Sequence, residues 1–77
     1  MKKKRYWLAS ARALEGLKQI EVASRVGIAP ASYCQIENGL RNPKISTAKK
    51  IAEILHFDWL RFYEEMRDDA DSKNPVN

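Results

Sequence analysis

Cys34 is the chain's single thiol and His56 its single imidazole. A nucleophilic thiol or hydroxyl needs a base to activate it and a third group to orient that base, and no Ser/His/Asp or Cys/His set of workable arrangement is present. One cysteine forms no internal disulfide, and together with one histidine it falls short of the four ligands of a structural zinc site. The acids that cluster, Glu64, Glu65, Asp68, Asp69 and Asp71, lie in a polar run that water solvates. No glycine-rich phosphate loop accompanies them. The residues capable of covalent, metal or acid–base chemistry therefore argue against an enzyme, a metal centre and a bound cofactor. Apart from the helix environment, Cys34 has no sequence neighbour that would activate its thiol, so a small, soft packing role is favoured over an oxidation switch.

Charge points elsewhere. Residues 1–50 hold eleven Lys and Arg against three acids, and residues 51–77 hold three against seven, so a net +4 conceals halves of +8 and −4. A basic first half is the electrostatic footprint of a protein that sits on phosphates. Seventy-seven residues make one domain; at this size about 60% of the unfolded surface can be buried, which demands an efficient core. Tyr6 to Ala9, after the basic Lys2, Lys3, Lys4 and Arg5, is too short for a signal peptide or a membrane span, and a reducing, cytoplasmic location is expected.

Glycine and proline divide the chain into segments whose apolar residues recur every three or four positions, which predicts five short helices. The first spans about Lys4 to Glu15 and buries Trp7, Leu8, Ala11 and Leu14 before Gly16 caps it. The second runs from Lys18 or Gln19 to Val26, with Ile20, Ala23 and Val26 inward and Gly27 ending it. The third starts at Pro30, where a missing N–H costs nothing, and reaches about Asn38 with Tyr33 and Ile36 inward. Ile45 to Leu55 forms the fourth, with Ile45, Ala48, Ile51, Ala52 and Leu55 on one stripe. Asp58 caps a fifth that runs to about Arg67 and carries Trp59, Phe62 and Tyr63. Residues 68–77 are polar and lack periodicity, as expected of a disordered tail, so that residues 1–67 form the domain.

The most specific pattern lies at the joint of the second and third helices. Ala23 is small where two helices cross closely, Gly27 reverses the chain, Ile28 plugs the turn, and Tyr33 with Ile36 closes the joint beside Val22 and Val26. That arrangement describes a helix-turn-helix. An ordinary helical hairpin inside a bundle is the plain alternative.

Over residues 5 to 63 the chain resembles the phage-repressor-like family of Cro and repressor type, often termed Xre-like. The resemblance rests on Leu17-Lys18-Gln19 leading into Val22-Ala23, Gly27-Ile28, Gln35-Ile36-Glu37-Asn38-Gly39, Arg41-Asn42-Pro43, and Lys50-Ile51-Ala52-Glu53-Ile54-Leu55. It implies an all-α, compact five-helix bundle that presents its third helix to the DNA major groove. It implies phosphate contacts for Gln19, Asn38 and Arg41, beside which stand Lys18 and Lys44, and a structural ion pair between Arg12 and Glu37. His56 stands where the family often has a capping glycine.

Under that resemblance, base reading falls to Pro30, Ala31, Ser32, Cys34 and Gln35. Gln35 alone can pair bidentately with adenine, Ser32 offers one hydroxyl, and Ala31 an apolar contact to a thymine methyl. The usual Ser or Thr cap and inner polar residue are replaced by Ala29 and Pro30, so discrimination is expected to lean on DNA shape and water. The basic residues 2–5 are either a backbone-tracking arm or a solvated end. Trp59, Phe62 and Tyr63 are expected both to complete the core and to leave a dimer patch.

The expected function is that of a double-stranded-DNA-binding transcription regulator, a repressor acting as a homodimer on an inverted repeat. A regulatory protein partner is compatible with the short chain, which has no room for a small-molecule sensing domain. The competing reading is a protein-interaction module, such as an antitoxin or adaptor, in which DNA binding is secondary.

Overall fold

The structure, a computed structural model, describes residues 3–64. Four helices, α1 (Tyr6–Leu14), α2 (Gln19–Val26), α3 (Pro30–Glu37) and α4 (Ile45–Leu55), are followed by a fifth, α5, at residues 60–64. No strand occurs among the described residues. None of the helices described is long and apolar enough to cross a membrane. The expected continuation to Arg67 and the tail 68–77 lie outside the described residues.

One device ends each of α1 to α4. The second or third residue past each helix returns its N–H to a carbonyl five positions earlier: Leu17 to Arg12, Ile28 to Ala23, Leu40 to Gln35 and Phe57 to Ala52. These Schellman closures need a left-handed residue just before the returning N–H. Glycines serve three of them, and His56 serves the fourth at φ +60. The histidine is thus a helix cap, held in a conformation that costs an L-residue about 1–2 kcal/mol. Asp58 Oδ1 accepts the Leu60 N–H at 3.0 Å and starts α5, the cap expected of it.

The core joins Leu8, Val22, Ala23, Val26, Tyr33, Ile36, Ala48, Ile51, Leu55 and Phe62. Trp7, Phe57 and Phe62 close one end, with ring centroids 5.0–5.7 Å apart. Their edge-to-face and tilted contacts suit aromatic quadrupoles.

Three residues expected inside are outside: Leu14 is 86% exposed, Ile20 60% and Ile45 58%. Each helical residue turns by about 100°. On α2 the buried arc is set by Val22, Ala23 and Val26, and Ile20 falls well to one side of it while Gln19 falls within it. Leu14 lies past the arc of Trp7, Leu8 and Ala11, at the end of α1. Ile45 is at the edge of the α4 stripe, in its first turn. A three-or-four spacing identified the helices but tolerated more than one choice of inward face.

Candidate nucleic-acid interface

The turn Gly27-Ile28-Ala29 carries the chain from α2 into α3. Pro30 occupies the first turn of α3, where its ring fits and no N–H is lost. The inner side of α3 is fixed by Tyr33, Ile36 and Glu37, all buried. That leaves Pro30, Ala31 and Gln35 exposed, with Ser32 and Cys34 half-buried at the margins.

Glu37 is the polar centre of the domain. It is only 1% exposed, yet its carboxylate accepts hydrogen bonds from Arg12 Nε (2.7 Å), Arg12 Nη2 (3.2 Å), Gln19 Nε2 (2.7 Å) and Tyr33 Oη (2.9 Å). Arg12 also donates to the Leu17 carbonyl at 2.9 Å. Burial alone would raise the Glu37 pKa, but the hydrogen bonds from Arg12, Gln19 and Tyr33 and the charge of Arg12 outweigh it, and the carboxyl is held below its ordinary value. The Arg12 guanidinium is pushed up, chiefly by its hydrogen bond to Glu37. The Tyr33 phenol is pushed up by burial first and by the adjacent carboxylate second. A negative charge on α3 is thereby neutralised inside the protein. One side chain ties α1, α2 and α3 together.

Gln19 therefore has a partner that its sequence position did not reveal. Its amide nitrogen carries two hydrogens, and Glu37 takes one. The other remains for an outside acceptor. At the same helix end the Lys18 backbone N–H donates to Glu21 Oε1 at 2.7 Å, so this N–H is occupied within the protein.

The other residues expected on DNA are placed as follows. Asn38, at the end of α3, donates from Nδ2 to Cys34 Sγ at 3.3 Å, which gives the thiol a neighbour. Arg41 is exposed, with Nη1 3.5 Å from Ser32 Oγ. Lys18 and Lys44 are exposed and stand immediately before α2 and α4.

Two expectations are corrected. Arg5 does not belong to a basic arm: it is 3% exposed, and its guanidinium donates to the Ile36 carbonyl (2.6 Å), the Arg41 carbonyl (3.1 Å) and Asn42 Oδ1 (2.7 Å). Three acceptors converging on one planar fork repay the burial of its charge. A signal was present, because Arg5 precedes Leu8 by three residues and Arg12 by seven and so shares their helix face. Phe62 is not part of an outer patch, since it is fully buried. Trp59 is half-buried with the Lys49 ammonium 5.1 Å from its ring, whereas Tyr63 and Leu60 are exposed.

Among the described residues no group of three or more His, Cys, Asp or Glu side chains could hold a metal ion. The geometry is that of a helix backed by a satisfied polar centre.

Comparison with known proteins agrees with this geometry. The family model described as "Helix-turn-helix" matches residues 8–60. A Bacillus subtilis (strain 168) protein described as "Uncharacterized HTH-type transcriptional regulator YqaF" is 45% identical over 62 residues, covering 80% of this chain and 82% of the relative.

Proposed function

Because the chain belongs to the Xre/Cro-type family of helix-turn-helix DNA-binding transcription regulators, which are not enzymes, we propose that it acts as a repressor that binds an inverted-repeat operator as a homodimer. The observation that carries this reading is the mounting of α3. Its inner face is held by Tyr33, Ile36 and Glu37, while Pro30, Ala31 and Gln35 remain free to meet base edges.

Gln35 is the principal reader, through paired hydrogen bonds to adenine N6 and N7. Ser32 and Cys34 contribute from the margin, and Ala31 and Pro30 supply apolar contact. Lys18, Gln19, Asn38, Arg41 and Lys44 hold phosphates and set the register of the helix without reading sequence. Leu60 and Tyr63, flanked by Trp59, supply the apolar contact between protomers.

Selection from a random duplex pool tests the proposal. An enriched inverted repeat with half-sites about 10 base pairs apart, centre to centre, is the expected result. Gln35→Ala is expected to relax the preference at one position per half-site. Three cations per protomer, Lys18, Arg41 and Lys44, give a dimer a slope of log affinity against log salt of about −5. Failure to enrich any duplex, with no binding at low salt, would shift the reading to a protein-interaction module.

A further inference from the structure

Arg5 is a buried cation at the start of α1. Its position is particular. The Arg5 backbone N–H donates to the Glu37 carbonyl at 2.8 Å, and its side chain holds the Ile36 carbonyl, also in the last turn of α3. The same guanidinium reaches across to the loop after α3 and holds the main chain at Arg41 and the side chain of Asn42. Its Cζ lies over the Phe62 ring, 5.4 Å from the centroid. One residue earlier than Lys4, the backbone of Lys3 lies so close to Gly39 that a β-carbon there would overlap its carbonyl. The amino-terminal segment is thus laid against the recognition helix's end and the loop that follows it.

We infer that Arg5 is a positioning residue for DNA binding: by fixing the main chain at residues 36 and 41 and the side chain of Asn42 it aims the Arg41 side chain, which extends beside Ser32 at the margin of the outer face of α3. This rests on the proposed role of Arg41 at the phosphate backbone. The chemistry required is that of a planar fork. A guanidinium can serve three acceptors in fixed directions while stacking on an aromatic ring; an ammonium carries the same charge without that geometry. The restraint matters because a free loop would have to lose its conformational freedom on each binding event, and a loop held in place has already done so.

The test uses the full chain and the variants Arg5→Lys, Asn42→Ala and Arg41→Ala, singly and as Arg5→Lys/Arg41→Ala. Asn42→Ala removes one acceptor and leaves the buried guanidinium, and so supplies a folded variant if Arg5→Lys does not fold. Amide hydrogen exchange is read at residues 39–42, and affinity for the selected duplex is read across a salt series well below the melting temperature. The inference predicts faster exchange confined to residues 39–42, by about tenfold in Arg5→Lys and less in Asn42→Ala. It predicts an affinity loss of about tenfold in Arg5→Lys, with a salt slope smaller by about one per protomer. In the Arg41→Ala background that loss should largely vanish, because the residue being aimed is gone. A purely structural Arg5 would lower the melting temperature yet leave salt slope and affinity of the folded protein unchanged, and that result overturns the inference. Independent, multiplying losses in the double variant also overturn it. If the wild-type chain selects no duplex, the proposed function fails, while exchange at residues 39–42 still decides whether Arg5 orders the loop.

Discussion

Replacing Glu37 with glutamine changes one oxygen to an NH2 group at the centre of the polar cluster. The carboxylate accepts from Arg12, Gln19 and Tyr33, all of them donors. An amide has one oxygen to offer, so its nitrogen must face a donor, and Arg12 loses its counter-charge in a site that is 21% exposed on the Arg12 side and 1% on the Glu37 side. Removing one partner of a buried pair costs about 3–5 kcal/mol. A domain of this size holds about 5 kcal/mol in all. With a urea m-value of about 1.5 kcal/mol/M, the unfolding midpoint of Glu37→Gln falls by about 2–3 M, and m itself is unchanged. A shift of less than about 0.3 M would refute the reasoning, because it would mean that the cluster is solvated.

The double variant Arg12→Met/Glu37→Leu should recover part of the loss, since both charges are then gone, although the Tyr33 hydroxyl and the Gln19 amide lose their acceptor and the Leu17 carbonyl its donor. Acid gives a second check. The Glu37 pKa in the folded chain is below its ordinary 4.5, so the folded state favours the carboxylate. Its contribution is fully present above that ordinary value and is lost as pH falls through the folded value. Wild-type and Glu37→Gln stabilities should therefore converge in acid.

His56→Gly relieves the left-handed strain of the α4 cap, offset by glycine's greater freedom in the unfolded chain. The melting temperature should rise by about 4 °C, and a fall would show that the 3.6 Å approach of His56 to Glu15 outweighs the strain. Gly39→Ala adds a methyl group where the Lys3 backbone lies, at φ +75. We expect a loss of about 2–3 kcal/mol and faster tryptic cleavage after Arg5; unchanged stability and cleavage would contradict the close packing. Leu14→Lys should change stability by less than about 0.5 kcal/mol because Leu14 is exposed, whereas a loss above about 2 kcal/mol would return it to the core.

The helices were legible in the sequence because turn chemistry is local. Gly16, Gly27, Gly39 and Pro30 stand where the backbone needs them, and the joint of α2 and α3 follows from Ala23, Gly27, Tyr33 and Ile36. The inward face was less legible, because Ile20 and Val22 are equally apolar and only the packing of α2 against its neighbours chooses between them. Choosing Val22 also turns Gln19 inward toward Glu37, a long-range contact that local spacing could not show. Arg5 was misread although its spacing to Leu8 and Arg12 already placed it on their helix face. In a run of four basic residues it looks like its neighbours, and its difference lies in three acceptors contributed by residues 36, 41 and 42. Phe62 followed the same logic in reverse, since its place in the ring cluster with Trp7 and Phe57 removes it from the outer face.

The central claim, that the outer face of α3 reads DNA sequence with Gln35 as its principal reader, is tested most directly by duplex selection with wild-type and Gln35→Ala proteins side by side. The account predicts an inverted repeat for the wild-type chain and, for the variant, preserved half-site spacing with loss of about 1–3 kcal/mol of discrimination at one adenine position. An identical preference from both proteins would contradict the assignment of Gln35, and the absence of any enriched sequence would contradict the claim itself.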